Sequence, residues 1–110
     1  MEKRNSERVN KRLEVKYRTK ADNTAITSDL SDTGMFISTS RGGKQGSVLD
    51  IMLNLPNSPQ LYLKGKVVRS ISAAPGLNGN VKSGMGINLI SPPQDYLNYV
   101  QSLLTVRSGK

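Results

Sequence analysis

Cysteine, histidine and tryptophan do not occur in this chain. Without cysteine there is no disulfide and no thiolate nucleophile. Without histidine the commonest metal ligand is missing, along with the side chain best suited to acid–base chemistry near neutral pH. No metal or other cofactor is therefore expected, and catalysis has little to work with: Asp29 and Asp32 have no histidine, cysteine or paired base nearby in sequence to build a reaction centre. Long apolar runs are absent as well. Nothing approaches the roughly 20 apolar residues of a membrane span, and the basic start Met1-Glu2-Lys3-Arg4 is not followed by the apolar core of a secretion signal. These absences give the expectation of a soluble, cytoplasmic protein that is not an enzyme and has no membrane partner.

Aromatic residues are few, with one Phe and four Tyr. A core must then be assembled from Val, Leu, Ile and Met, which suits a small barrel or sandwich better than a large pocketed enzyme. At 110 residues there is room for one domain with one modest core.

Positive charge is what the chain has in excess. The net charge is +8, of which +5 falls in residues 1–20. A basic segment of this kind attracts phosphate-bearing partners, although short basic termini also serve simply as solvated tails. Residues 1–11 are polar and charged with no apolar periodicity, and read as a flexible basic arm ahead of a domain over 12–110.

From Arg12 onward the pattern has period two. Leu13, Val15 and Tyr17 alternate with Glu14, Lys16 and Arg18 as in a strand with one buried face, and Leu49, Ile51, Leu53 and Leu55 do the same. Weaker strands are read at Thr24–Ser28 and Met35–Ser38. A long, bent or bulged strand is read at Leu61–Ile71, with Gly65 as the bend and Gly84–Ile90 as its partner. The glycine-rich Arg41–Gly46 lacks the spacing of a phosphate-binding loop and reads as a connection, as does Ala74–Asn80. Ser91-Pro92-Pro93-Gln94 reads as a helix start, with Ser91 as the cap, and a helix follows over about 92–106 with Tyr96, Val100, Leu103 and Leu104 on one face. The expected fold is mainly β: a six-stranded antiparallel barrel with a C-terminal helix.

One stretch concentrates polar groups. Asp29-Leu30-Ser31-Asp32-Thr33-Gly34 connects two strands and offers a carboxylate, a hydroxyl and a glycine within six residues. On local physics alone it is either an ordinary hairpin turn or a small ligand seat. Arg4 and Arg8, four residues apart in the arm, supply two planar guanidinium forks suited to phosphate oxygens or to the O6/N7 edge of guanine.

Taken in order, Arg4-x-x-x-Arg8-Val9, the Leu13–Tyr17 strand, Asp29-x-Ser31-x-x-Gly34-Met35-Phe36, the Leu61–Arg69 strand and Gly84-Met85-Gly86-Ile87 before a helix resemble the PilZ domain family. That family is known for receptors of the bacterial second messenger cyclic di-GMP. The resemblance implies the same six-stranded barrel, and it implies a ligand, cyclic di-GMP, contacted by Arg4, Arg8, Asp29, Ser31 and Gly34. Arg8 with Arg12 is a second possible register, less favoured because Arg12 abuts the strand and Val9 fits the family pattern. The resemblance further implies a module that signals to an unidentified protein partner through a ligand-dependent surface. Two alternatives stay open: a protein-interaction module of the same fold that binds no nucleotide, and a small basic barrel for single-stranded nucleic acid. The second lacks the aromatic stacking platforms that class uses, so nucleic acid is not the expected partner.

Overall fold

Inward apolar and outward polar side chains alternate along six strands, and the sheet they form curls until it closes. The computed structural model describes residues 8–40, 42–56, 60–71 and 83–108. Its elements are β1 (Val9–Asn10), β2 (Glu14–Arg18), β3 (Asp22–Leu30), β4 (Gly34–Ser38), β5 (Val48–Leu53), β6 (Leu61–Ile71), β7 (Gly84–Leu89) and α1 (Gln94–Ser108). Around the ring β2 pairs with β3 and β5, β5 with β6, β6 with β7, β7 with β4, and β4 back with β3, all antiparallel. Closure removes the free edges that an open sheet would leave. β1 is a seventh, two-residue strand laid against the end of β3, with Val9 opposite Leu30 and Asn10 opposite Asp29.

The barrel is filled by Val15, Tyr17, Leu30, Met35, Ile37, Ile51, Leu53, Val67 and Met85, and α1 packs Tyr96 and Val100 into the same cluster with Leu97, Leu103 and Leu104 partly buried beside them. The expected barrel, the terminal helix and the helix face are therefore all present, and β6 pairs with β7 as expected.

Four local features differ from the sequence reading. Val9 is 7% exposed and β1 is a strand, so the packed structure begins inside the segment read as an arm. A single Val among charged residues gives no periodicity, and the signal that anchors it lies elsewhere: buried Thr27 donates its hydroxyl to the Lys11 carbonyl at 2.8 Å and accepts from the Leu13 amide at 3.0 Å. Secondly, Asp29 and Leu30 belong to β3, which leaves Ser31-Asp32-Thr33 as the turn. Thirdly, the irregularity in β6 falls between Val67 and Arg69 rather than at Gly65. Finally, Ser91 does not cap the helix. It takes a left-handed φ of 46° that redirects the chain, α1 begins at Gln94, and the Pro93 carbonyl accepts from the amides of Tyr96 and Leu97 at 3.0 and 3.2 Å. Arg4 and the Ala74–Asn80 connection lie outside the described residues.

Candidate functional site

The β3–β4 turn is built from within. Ser31 is fully buried, and its Oγ accepts the amides of Thr33 and Gly34 at 3.3 and 3.2 Å, while its own amide donates to the Gly34 carbonyl at 2.8 Å. From below, the Tyr96 hydroxyl on α1 reaches the carbonyls of Ser31 at 2.8 Å and Gly34 at 3.1 Å. Burial raises the Tyr96 pKa well above the ordinary tyrosine value, and the nearby Asp32 and Asp29 carboxylates add to the rise, so the hydroxyl stays a donor. Gly34 is constrained from the side. A Cβ there would stand 2.0 Å from the Ile87 carbonyl oxygen on β7, so only glycine lets β4 approach β7 this closely.

The outward face of the same turn is different. Arg8 donates from Nη1 to Oδ1 of Asp29 at 2.5 Å, with the arginine side chain 53% and the aspartate 24% exposed. The two residues are brought together because β1 pairs with the end of β3. Of the residues expected in the site, then, Arg8 and Asp29 meet at the surface, Ser31 and Gly34 shape the turn beneath them, and Arg4 is outside the described residues. Arg12 is exposed and takes no part in this cluster.

Beside the Arg8–Asp29 pair lies a cleft of 310 Å³ bordered by Arg8, Thr33 and Gly34 on one side and by Val68, Arg69 and Asn88 on the other, with Gly86 and Ile87 between. Sequence reasoning missed Arg69. Leu63, Gly65 and Val67 point inward, so regular alternation would place Arg69 inside the barrel, where an unpaired charge is excluded. A bulge at Val68 resolves the conflict by inserting one residue and turning Arg69 outward opposite Gly86. β3 repeats the device: Thr27 points inward, a bulge at Ser28 follows, and Asp29 turns outward while Leu30 goes into the core. A charged residue falling on the inward beat of a strand was the signal available in both cases.

The bulges align the register. Asp29 lies opposite Phe36, Phe36 opposite Gly86, and Gly86 opposite Arg69, giving one row across four strands with an acid at one end and a guanidinium at the other. Among the described residues no group of three or more His, Cys, Asp or Glu is placed to hold a metal, and no helix is long and apolar enough to cross a membrane.

Comparison with known proteins gives a match to the PilZ domain over residues 2–105. No curated protein matches the sequence significantly. Among solved structures, the Bacillus subtilis inhibitor of motility MotI/DgrA superposes with a TM-score of 0.81 at 16% identity, covering 100% of this chain and 54% of that one. The MrkH–c-di-GMP complex of K. pneumonia gives 0.73 at 16% identity, covering 94% and 52%. The PilZ domain of CeSA from a cellulose-synthesizing bacterium gives 0.59 at 19% identity, covering 93% and 99%. The chain thus spans about half the length of MotI and MrkH, and the likeness to all three is one of fold.

Proposed function

The chain belongs to the PilZ domain family, and we propose that it is a receptor for cyclic di-GMP, without catalytic activity of its own, that passes the signal to a protein partner. The observation that carries this reading is the Arg8–Asp29 pair at the rim of the cleft, formed by the two short motifs that the sequence places 21 residues apart. Cyclic di-GMP presents two phosphates and two guanines. Asp29 has a second carboxylate oxygen to accept from guanine N1–H and N2–H, and Arg8, half exposed, can turn a guanidinium N–H toward a phosphate while keeping Asp29 in place. Arg4, four residues earlier, supplies a second fork. Ser31 acts on the ligand indirectly, by fixing the turn that follows Asp29, while Gly34 lines the cleft with bare backbone. The solved complex of MrkH with c-di-GMP, similar in fold, supports the choice of ligand.

The signalling step follows from where the arm is tied. β1 anchors the chain at Val9, which holds Arg8 beside the cleft. A dianionic ligand in the cleft draws Arg4 toward Arg8 and folds the arm over itself as a clasp, and arm plus ligand form the surface a partner recognises. Titration calorimetry with cyclic di-GMP, with GTP and single-stranded RNA as controls, tests the receptor reading: selective binding of the cyclic dinucleotide is expected, and equal or stronger binding of the RNA overturns it. Amide hydrogen exchange over residues 3–11 tests the clasp, which requires protection to appear there on adding cyclic di-GMP.

A further inference from the structure

We infer that Arg69 is a base-reading residue of this site: it forks onto the O6/N7 edge of a guanine whose N1–H and N2–H edge is held by Asp29, with the base lying flat over Gly86. The inference rests on the receptor reading above and assigns it a specificity determinant outside the motifs that suggested it.

The geometry comes from the row Asp29–Phe36–Gly86–Arg69. Its ends are three strand spacings apart, or about 14 Å between backbones. A short carboxylate reaching in from one end and a long guanidinium from the other leave a gap suited to one purine. The floor of that gap is a glycine, with the Arg69 side chain lying alongside it, its Nε 4.0 Å from where a Cβ on Gly86 would stand, so the guanidinium swings outward to admit a base. The Phe36 ring leans toward Gly84, where an added Cβ would stand 2.4 Å from it, whereas a Cβ on Gly86 would meet nothing nearer than Val68 and the Arg69 side chain at 3.8 Å. Val68, 48% exposed on the outward beat just before Arg69, adds an apolar wall. Among the described residues no hydrogen bond or ion pair engages the guanidinium of Arg69, so its donors are available. The cleft volume of 310 Å³ sits at the foot of the range of about 300–1,000 Å³ for ligand pockets, which fits one nucleotide unit better than a whole cyclic dinucleotide.

Guanine and adenine differ on the two edges involved. Guanine offers acceptors at O6 and N7 to an arginine fork and donors at N1 and N2 to a carboxylate. Adenine sets an amino donor against the arginine and a bare ring acceptor against the aspartate. Arg69 therefore contributes to the choice of base as well as to attraction for phosphate.

Calorimetric titration of wild type, Arg69→Ala, Arg69→Lys and Gly86→Ala with cyclic di-GMP and cyclic di-AMP, alongside thermal melts, separates the possibilities. Wild type is expected to prefer cyclic di-GMP. Arg69→Ala should weaken cyclic di-GMP roughly tenfold to a hundredfold, the scale of one bidentate base contact, and leave cyclic di-AMP nearly unchanged. Arg69→Lys keeps the charge but loses the fork, so the preference should collapse there as well. Gly86→Ala, which has room to fold normally, should weaken cyclic di-GMP by occupying the floor. Normal binding by Arg69→Ala or Gly86→Ala, or a loss by Arg69→Ala that is equal for both dinucleotides, overturns the base-reading assignment while the receptor reading stands. A wild-type protein that does not bind cyclic di-GMP overturns the receptor reading, and this inference with it.

Discussion

Two depressions among the described residues of the barrel differ in size and in charge. The larger, 840 Å³, spreads over the outer face of β2, β5 and β6. Two of its three cations are matched: Arg18 Nε stands 2.9 Å from Asp22, Lys64 Nζ 3.3 Å from Asp50, and Asp50 lies opposite both Arg18 and Lys64 in register, with Lys16 the third cation. The smaller cleft, 310 Å³, has Arg8 and Arg69 among its lining residues and no carboxylate; Arg8 is paired with Asp29 beside the cleft, and Arg69 has no hydrogen-bond or ion-pair partner among the described residues. Volume alone would select the wrong one. A phosphate-bearing ligand is drawn to charge left unbalanced beside a shaped floor, and alternating acids and bases across neighbouring strands cancel most of their field within a Debye length.

The largest effect in a test of this contrast is expected beneath the smaller cleft. Gly34→Ala sets a methyl against the Ile87 carbonyl, and because the obstacle is backbone the two strands must part. A loss of about 3 kcal/mol in stability is expected, at the upper end for overpacking, measured by denaturant unfolding. A melt like that of wild type would mean that β4 and β7 do not approach as closely as described.

Next come the surface residues of the cleft. Arg8→Ala and Asp29→Ala should each weaken cyclic di-GMP binding by about 2 kcal/mol, the scale of a lost charge-assisted contact, while both variants fold. Wild-type affinity in both folded variants would remove them from the site.

How far this arrangement was legible in the sequence depended on whether a feature repeats. β2 and β5 announce themselves because alternation recurs several times in each, and α1 does because Tyr96, Val100, Leu103 and Leu104 return every three or four residues. β1 has two residues and one apolar side chain, so no period exists to detect. Asp29 and Arg8 were legible as members of short motifs, yet their contact depends on β1 and could not be read without it. Arg69 needed a bulge to be inferred from a charge on an inward beat. Ser31 was legible as a residue that matters, but its surroundings were not: three spaced residues name a turn without saying which of them face inward, and burial sets this hydroxyl against the backbone.

A third prediction probes the link between helix and turn. Tyr96→Phe removes a buried hydroxyl that serves two carbonyls, and a loss of about 1–2 kcal/mol is expected. The raised pKa of Tyr96 also fixes a sign. The unfolded chain releases the tyrosine proton above about pH 10 while the folded chain still holds it, so stability is full below that pH and falls as pH rises past it. Denaturant unfolding of wild type and Tyr96→Phe from pH 8 to 11 should show a steeper decline for wild type. Parallel curves would mean that the hydroxyl is not held as described.

The smallest effect belongs to the larger depression, and it is the one that most sharpens the comparison. Lys64 is 61% exposed and its partner Asp50 74%, so water screens the pair and each side chain loses rotamer freedom in forming it. Lys64→Ala should therefore change stability by no more than ~0.5 kcal/mol. It should also leave cyclic di-GMP binding untouched, because the charge removed was already opposed by Asp50 and lies on the wall of the other depression. Arg69→Ala removes one positive charge from the same barrel and the same strand, β6, so the two variants match in net charge and differ in place. Calorimetry at low and moderate salt on this pair asks whether the ligand responds to the total charge of the protein or to where the charge sits. If Lys64→Ala weakens binding as much as Arg69→Ala, and salt abolishes both losses, attraction is diffuse and the distinction between the two depressions fails. If only Arg69→Ala weakens binding and the loss persists at moderate salt, the local arrangement on β6 decides it.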